Sequence, residues 1–291
     1  MTSLGGYTLH AIETGRFGLD GGAMFGIIPR ALWSRHVEPD SQHRIPMGMR
    51  CLLLEGHGRL ILIDNGLGDK YDEKFGRIYA VDYAHSELHR SLRAAGFDAS
   101  EVTDVVLTHL HFDHCGGSTV RDADGRLRLA FPNATHHVQA THWAWAHESP
   151  RERASFLADN LDPLAASGQL HLLTAKHTGP GALLPHIDVL TVDGHTRGQQ
   201  LVKISAEAGG GGETLLFAAD LLPTAAHVPL LWIMSYDVNP LDTLAEKTQL
   251  LAQAADEEWR VFFEHDAAVT TGRIVRTERG DYAVAEPTPT L

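Results

Sequence analysis

The chain has 291 residues, of which 43% are hydrophobic, and it carries a formal net charge of −13. This length and apolar content allow a large buried core, in one domain or in two closely packed halves. The acidic balance and the lack of a basic cluster argue against a nucleic-acid or anionic-membrane partner, because phosphate binding needs a basic face. We therefore expect a protein that acts on small molecules.

Cysteine content and the N-terminal stretch indicate the compartment. Cys51 and Cys115 are too few for a disulfide framework, which is typical of a reducing environment. The stretch MTSLGGYTLHAIETGRF lacks the basic start and continuous apolar run of a signal peptide, and no later run reaches the length of a bilayer span. These features predict a cytoplasmic protein without a membrane segment, with the whole chain kept in the mature form.

Short apolar runs bounded by turn formers predict strands along the chain. In chain order they are YTLHAIET, MRCLLLEG, RLILIDNG, DVVLTH, ATHHVQA, HIDVLTVDG, QQLVKIS, ETLLFAAD and RVFFEHD. Apolar residues at three- and four-residue steps predict helices at AHSELHRSLRAAGF and LDTLAEKTQLLAQAADEEW. GHGR predicts a hairpin turn, and AGGGGE predicts a flexible hairpin loop. The alternation indicates a mixed α/β layered fold, taken as one domain over residues 1–291.

The Gly- and Pro-rich segment 15–48 shows little periodicity, and we expect a lid or substrate loop there. Its apolar side chains Met24, Phe25 and Trp33 would wall a pocket. Packing of these side chains onto the body of the protein, or a homodimer contact that closes the pocket, explains them equally well. The sequence leaves these alternatives open.

The segment THLHFDHCGG, residues 108–117, concentrates metal-ligand side chains between an apolar run and two glycines. His109, His111, Asp113 and His114 follow a predicted buried strand, and loops held by a rigid sheet commonly carry chemistry. Even in a chain with 19 histidines, chance is a poor explanation of this spacing. Imidazole and carboxylate donors suit zinc, with iron, manganese or cobalt as alternatives. The segment predicts a site for two divalent metal ions.

A dinuclear site needs more donors than one loop provides, and three later strand ends offer them. His195 lies in the glycine-flanked turn VDGHTRG, Asp220 follows the apolar run LLFAA, and His265 follows VFFE. Each of these positions repeats the placement of the first motif after a strand.

The ordered pattern His-x-His-x-Asp-His, Gly-His-Thr, Ala-Asp and Glu-His resembles that of the metallo-β-lactamase-fold hydrolases, over residues 109–265. The resemblance implies a four-layer αβ/βα sandwich of two mixed sheets with outer helices, and a two-metal site at one edge of the sheets. It also implies a ligand set: His109, His111 and His195 for the first metal, Asp113, His114 and His265 for the second, and Asp220 bridging both. All seven positions carry the expected residue type.

Such a metal pair lowers the pKa of a bridging water and polarises a carbonyl or phosphoryl oxygen, so we expect hydrolysis. Asp113 is also the candidate proton donor to the leaving group. The resemblance implies that Asp64 supports the ligand loops by hydrogen bonds, although a turn-capping role explains it equally well. Thr108 and Thr196 are expected to orient loops or to serve only as turn residues, and Cys115 to be a small packed residue.

The stretches MFGIIPRALWSR, RIPMGMRCLLLE and GRLILIDNGLGDK resemble the quorum-quenching lactonase branch, whose relatives include organophosphate hydrolases. The resemblance implies opening of a lactone or similar ester, such as an acyl-homoserine lactone, in an apolar pocket. Those lactonases place a tyrosine shortly after the bridging aspartate, whereas DLLPTAAHV begins at Asp220 here. His227 and Tyr236 are the candidates to replace that tyrosine.

Two other functions stay open at this point. A phosphotriesterase or thioesterase of the same fold would use the same metals, and assays of lactone opening against phosphotriester cleavage separate these activities. A non-catalytic binding protein of this fold would carry a loss among the seven donors, and the sequence has none.

Overall fold

The computed structural model describes residues 2–84, 86–178 and 181–291. Its strands are β1 Ser3–Leu4, β2 Tyr7–Asp20, β3 Arg44–Gly56, β4 Arg59–Ile63, β5 Asp104–Val106, β6 Thr119–Arg121, β7 Leu127–Leu129, β8 Thr135–Gln139, β9 Leu170–Leu173, β10 Ile187–Val192, β11 Gln199–Ser205, β12 Thr214–Phe217, β13 Arg260–Phe262, β14 Thr271–Arg276 and β15 Tyr282–Thr288. Its α-helices are α1 Gly21–Phe25, α2 Arg30–Trp33, α3 Glu73–Ile78, α4 Leu88–Ala94, α5 Phe112–Cys115, α6 Ala140–Glu148, α7 Ala158–Ser167 and α8 Pro240–Asp256.

The first compact unit comprises Met1–Arg16 and Met49–Lys176. Its main sheet has the strand order β1-β2-β3-β4-β5-β8-β9, in which β4, β5, β8 and β9 run parallel to one another. The core of this unit is a buried apolar cluster that includes Leu62, Val105 and Phe131. Because parallel strands end at the same edge of a sheet, the residues that follow β4 and β5 emerge side by side.

The second compact unit comprises Phe17–Gly48 and His177–Leu291. Its sheet has the order β10-β11-β12-β13-β14-β15, with β12 and β13 parallel and the other described pairs antiparallel. The helix α8 buries Thr243, Lys247, Leu251 and Ala254, whose spacing places them on one side of the helix. The residues that follow the parallel strands β12 and β13 leave this sheet at one edge.

The two predicted hairpin connections are confirmed. Strands β3 and β4 pair antiparallel with Gly56 opposite Arg59, and the two residues between them, His57 and Gly58, both have positive φ angles of 52° and 71°. That backbone is the type I′ turn, which matches the twist of the flanking strands. The glycine run after β11 closes a second hairpin, in which the Glu207 N–H donates to the Gly211 carbonyl at 3.0 Å.

All nine predicted strands are present, and the two predicted helices correspond to α4 and α8. The helix α4 is shorter than its predicted stretch, and residue 85 near the start of that stretch lies outside the described residues. The mixed α/β fold is confirmed. The single-domain assignment over residues 1–291 stays a prediction. Within the described ranges, no helix combines the length and the apolar character that a membrane crossing requires.

The expectation of an irregular loop at 15–48 is wrong at both ends. Strand β2 continues to Asp20, strand β3 begins at Arg44, and the short helices α1 and α2 lie between them. The sequence does not indicate a strand here because Gly15 has a low strand propensity. A Cβ on Gly15 would lie 2.9 Å from the side chains of both Met49 and Tyr83. Close packing therefore favours glycine at this position, whereas a β-branched residue would have indicated a strand.

Candidate functional site

Four of the predicted ligands lie in one tight turn of the first unit. His109 follows β5, His111 precedes the first residue of α5, and Asp113 and His114 lie within that helix. All four side chains are buried. His109 Nε2 lies 3.0 Å from His111 Nδ1, and the rings of His109 and His114 are 3.9 Å apart between centroids. The structure therefore brings these four residues together, at the end of a strand as predicted.

The two glycines that close the motif are required by space. Gly116 has an ordinary φ of −61°, so backbone strain does not explain it. A Cβ on Gly116 would overlap the carbonyl oxygen of Leu67, and a Cβ on Gly117 would overlap that of Asn65. The chain that leaves β4 thus passes directly against the ligand turn, which holds the turn in place.

Asp64, the residue after β4, fixes the tautomer of His109 through Thr108. The Asp64 carboxylate accepts hydrogen bonds from the Thr108 N–H at 2.7 Å and from the Thr108 hydroxyl at 2.6 Å. Because that hydroxyl has given its one proton to Asp64, it accepts from His109 Nδ1 at 3.1 Å. His109 therefore carries its lone pair on Nε2.

Carboxylates fix the other two histidines of the motif in the same way. His114 Nδ1 donates to Asp64 Oδ2 at 3.0 Å, and His111 Nε2 donates to Glu152 Oε1 at 3.0 Å. Glu152 is buried and is held by the Trp145 indole N–H at 2.6 Å. The lone pairs consequently lie on Nε2 of His114 and on Nδ1 of His111.

These tautomers make His109 Nε2 and His111 Nδ1 face each other with lone pairs 3.0 Å apart. Two lone pairs at that distance repel each other, whereas a cation between them is attracted by both. Neutral imidazole nitrogen is the commonest protein ligand of divalent transition metals. The donor set of the motif therefore fits a bound metal ion.

In the second unit, Asp220 lies between two histidines. His195 follows β10, Asp220 follows β12 and His265 follows β13. Asp220 Oδ2 is 3.3 Å from His195 Nε2, and Asp220 Oδ1 is 3.2 Å from His265 Nε2. One carboxylate thus presents a separate oxygen to each imidazole, which is the arrangement a bridging ligand needs.

Protein partners fix these two tautomers as well. His195 Nδ1 donates to the buried carboxylate of Asp237 at 2.9 Å, and Asp237 accepts a second hydrogen bond from Thr243 Oγ1 at 2.8 Å. His265 Nδ1 donates to the carbonyl oxygen of Gly48 at 2.9 Å. When both rings are neutral, each Nε2 lone pair points at a carboxylate oxygen, an arrangement that again fits a cation between the donors.

The structure separates the supporting roles expected from sequence. Asp64 and Thr108 hold the ligand turn, which confirms the supporting role. The Thr196 hydroxyl has no hydrogen-bond partner among the described residues, so the expected orienting bond is wrong and Thr196 is a turn residue. Cys115 is buried in the apolar cluster and burial raises the pKa of its thiol to about 12, which confirms the packed role.

Most of the residues expected to shape the substrate pocket make internal contacts instead. Phe25 stacks between Trp33, at 5.3 Å, and His227, at 4.8 Å between ring centroids. Met24, Phe25 and Trp33 are buried, which favours the internal packing alternative. His227 Nε2 bonds to the Met24 carbonyl at 2.9 Å and Nδ1 to Thr224 at 2.7 Å. Protein partners thus occupy both nitrogens of His227, and the expectation that it replaces the lactonase tyrosine is wrong. Tyr236 is 38% exposed and keeps that role as a prediction.

Three supporting residues were not identified from sequence. Glu152 lies in a stretch that reads as scattered surface charge, and Asp237 lies in a loop without a motif. His142, on α6, accepts a hydrogen bond from the Leu110 N–H at 2.8 Å and so holds the backbone inside the ligand turn. Each of these residues lies 32 to 42 positions along the chain from the residue that it contacts. No local sequence spacing therefore identifies them.

Comparison with known proteins identifies the family of this chain. The family model described as the metallo-beta-lactamase superfamily matches residues 50–265. The N-acyl homoserine lactonase AiiA of Bacillus thuringiensis subsp. kurstaki is 25% identical over 232 residues, which cover 74% of this chain and 80% of AiiA.

Two solved structures are similar in fold. A probable metal-dependent hydrolase from Staphylococcus aureus has a TM-score of 0.84 at 27% identity, covering 98% of this chain and 99% of its own. AidC, a dizinc quorum-quenching lactonase, has a TM-score of 0.77 at 24% identity, covering 97% and 95%.

These matches confirm the predicted family, fold and enzyme class. Buried histidine and aspartate groups among the described residues could hold a metal ion. The chain therefore belongs to the metallo-beta-lactamase superfamily and is a metallohydrolase of that fold.

Proposed function

We propose that the seven predicted donors form one dinuclear metal centre and that the enzyme opens lactones, in particular N-acyl homoserine lactones. One observation carries the proposal: each of the five histidines has one nitrogen bound by a protein partner, which turns the other nitrogen's lone pair toward a further donor. The similarity to AiiA, named as an N-acyl homoserine lactonase, supports the choice of substrate.

The proposed ligand assignment is the one that the resemblance to the metallo-β-lactamase-fold hydrolases implies. His109, His111 and His195 would hold the first metal, Asp113, His114 and His265 the second, and Asp220 would bridge them, with zinc as the preferred ion. Within the second unit, the contacts of Asp220 Oδ1 and Oδ2 with two different histidines support the bridging role. The carboxylates that hold the remote nitrogens raise the basicity of the coordinating ones and fix the ring orientations.

Two divalent ions in this site would supply Lewis-acid polarisation of the carbonyl and a water of lowered pKa. Hydrolysis adds water across the acyl carbon–oxygen bond of the ring, and the ring oxygen must gain a proton as that bond breaks. Asp113, 7% exposed at the start of α5, is the residue proposed to deliver that proton. In a lactone the ring oxygen stays on the product as a hydroxyl group, so a single open-chain acid is released.

The test is a hydrolase panel on zinc-loaded protein, read by a pH indicator because opening of each lactone releases an acid. The panel contains N-hexanoyl homoserine lactone, an aryl phosphotriester, a thioester and a β-lactam. We expect kcat/KM for the lactone to exceed that for each other class by about 100-fold, or about 2.8 kcal/mol in transition-state stabilisation. A triester or thioester preference of similar size would overturn the proposed substrate.

Single substitutions test the metal centre itself. His109→Ala and Asp220→Ala should each abolish hydrolysis and lower the bound metal below two ions per chain, because each removes a donor. The exposed His147 on α6 provides the matched control, since His147→Ala removes an imidazole of the same type outside the donor set. Full activity and metal content in the two donor variants would contradict the dinuclear proposal.

A further inference from the structure

The helix α8 carries an ammonium group that is removed from solvent. Lys247 is 0% exposed, and proteins bury lysine only where its charge is compensated. Its Nζ donates to the carbonyl oxygens of His227 at 2.7 Å, Pro229 at 2.8 Å and Trp232 at 2.9 Å. All three protons of the ammonium are therefore directed at one short stretch of backbone.

That stretch belongs to residues 221–236, which we call the connecting segment. It begins immediately after Asp220 and ends immediately before Asp237, the residue that holds His195. The segment contains the last residue of one short 3-10 turn, Leu221, and a second 3-10 turn at Ala225–His227, and its other described residues lie outside helices and strands. Backbone N–H groups hold some of its carbonyls, and Lys247 holds three of them from the helix. Both ends of an irregular segment are thus tied to the proposed metal ligands of this unit.

The connecting segment presents apolar side chains to its surroundings. Leu231 is 59% exposed and Tyr236 is 38% exposed, while Trp232 packs edge-on against buried Phe25 with the ring centroids 5.6 Å apart. Tyr236 directly precedes Asp237, the residue that holds His195, and ligand sites combine a few polar groups that fix the ligand with apolar groups that cover it. The segment is suited to contact the acyl part of an ester.

The same face of α8 holds the turn that carries His195. Thr243 donates to Asp237, and the Glu246 carboxylate accepts from the backbone N–H groups of Asp193 at 2.6 Å and Gly194 at 3.1 Å. Positions 243, 246 and 247 are neighbours on a helix surface. One helix face therefore holds His195 through two side chains and the connecting segment through the third.

We propose that Lys247 is a positioning residue for the substrate: its ammonium holds the connecting segment in the shape that lets the segment contact the acyl group beside Asp220. This role rests on the proposed esterase function. The described hydrogen bonds of Nζ go to backbone carbonyls and to none of the seven proposed metal ligands. Because the ammonium contacts none of these ligands directly, we expect its loss to lower substrate affinity while the metal content is kept.

Burial and nearby carboxylates have opposite effects on the pKa of Lys247. Burial lowers the pKa of Lys247 to about 7, while the carboxylates of Asp237 and Asp281 act in the opposite direction. The three carbonyl oxygens accept hydrogen bonds that the ammonium can donate in full and a neutral amine only in part. The bonding geometry therefore requires the protonated form for all three contacts.

The main test compares Lys247→Met, which keeps the length of the side chain without its donors, with Lys247→Arg, which keeps the charge. In Lys247→Met we expect amide hydrogen exchange in residues 224–236 to accelerate about tenfold or more, because the local opening free energy falls. We expect KM for N-hexanoyl homoserine lactone to rise about tenfold with kcat within about twofold. Metal content should be unchanged, and Lys247→Arg should restore part of the protection.

Lys74→Met is the matched control, because Lys74 is an exposed lysine on α3 and its loss should alter neither exchange nor KM. If Lys247→Met does not fold, Lys247→Gln, whose amide donates two protons, takes its place under the same criteria. Unchanged exchange in residues 224–236, or a fall in kcat or metal content with KM constant, would overturn the positioning role. The exchange measurement needs no substrate, so it decides the role of the ammonium even if the wild-type enzyme fails to open lactones.

Discussion

Asp237 offers the sharpest test of how this enzyme prepares its ligands. The Asp237→Ala variant removes the carboxylate that accepts from His195 Nδ1 at 2.9 Å and leaves that N–H in a site where the side chain of Asp237 was 1% exposed. Loss of such a supporting carboxylate weakens metal binding by about 10- to 100-fold, or about 1.4–2.8 kcal/mol. We expect the upper end of that range, because the N–H loses its acceptor in a buried environment.

The Asp237→Asn variant separates charge from geometry. Its amide oxygen can still accept from His195 Nδ1, so only the negative charge that raises imidazole basicity is lost. We therefore expect about tenfold weaker metal binding, at the lower end of the same range. Zinc affinity is measured by competition with a chromophoric chelator, and far-ultraviolet circular dichroism checks that each variant folds.

The matched control is Asp242→Asn, an identical change of charge at an exposed position in the first turn of α8. It should leave zinc affinity unchanged. In a double-mutant cycle, His195→Ala should remove most of the effect of Asp237→Ala, because the carboxylate acts through that imidazole. Equal zinc affinity in wild type and Asp237→Ala, or full additivity in the cycle, would refute this reasoning.

Three further predictions follow from contacts of the first unit. Glu152→Gln should weaken zinc binding about tenfold in the chelator competition, because the carboxylate that orients the second histidine of the motif loses its charge; unchanged affinity would contradict this. Burial alone would raise the pKa of Asp104, but its hydrogen bonds, the largest effect coming from His137, lower that pKa to about 2. The ionised form is therefore favoured in the folded state, and the resulting stability of about 2 kcal/mol should be present above pH 4 and lost as the pH falls toward 2; urea unfolding of wild type and Asp104→Asn should differ at pH 7 and converge in acid. Gly117→Ala should destabilise the fold by about 1–3 kcal/mol, because the added Cβ clashes with the neighbouring backbone carbonyl. The control is Gly76→Ala on α3, where no described atom lies within 4 Å of the added Cβ. In the same thermal melt this control should be neutral or slightly stabilising.

The ligand turn and the 15–48 segment differ in how far apart along the chain their structural determinants lie. The ligand turn is local: four donors lie within six positions, directly after a strand that reads clearly as apolar. The end of β2 is not determined locally, because the residues that exclude a side chain at Gly15 are the distant Met49 and Tyr83. A glycine chosen for packing looks the same in the sequence as a glycine chosen for a turn.

His227 shows the same limit for a functional residue. In the sequence it is a polar residue at a suggestive distance after Asp220, and it was a reasonable candidate to contact substrate. In the fold, a carbonyl from the distant residue Met24 and the hydroxyl of Thr224 occupy its nitrogens, and burial lowers its pKa to about 4. The residue therefore serves packing, with its ring stacked on Phe25.

The sequence by itself predicted the candidate donors and the strands that they follow, because ligand type and strand periodicity depend on residues a few positions apart. It could not identify Glu152, Asp237, His142 or Lys247 as supporting residues, because each acts on a partner that only folding brings near. Tertiary structure also decided which nitrogen of each histidine carries the proton. That choice depends on the hydrogen-bond partner of the remote nitrogen, and the partner comes from another part of the chain for four of the five histidines.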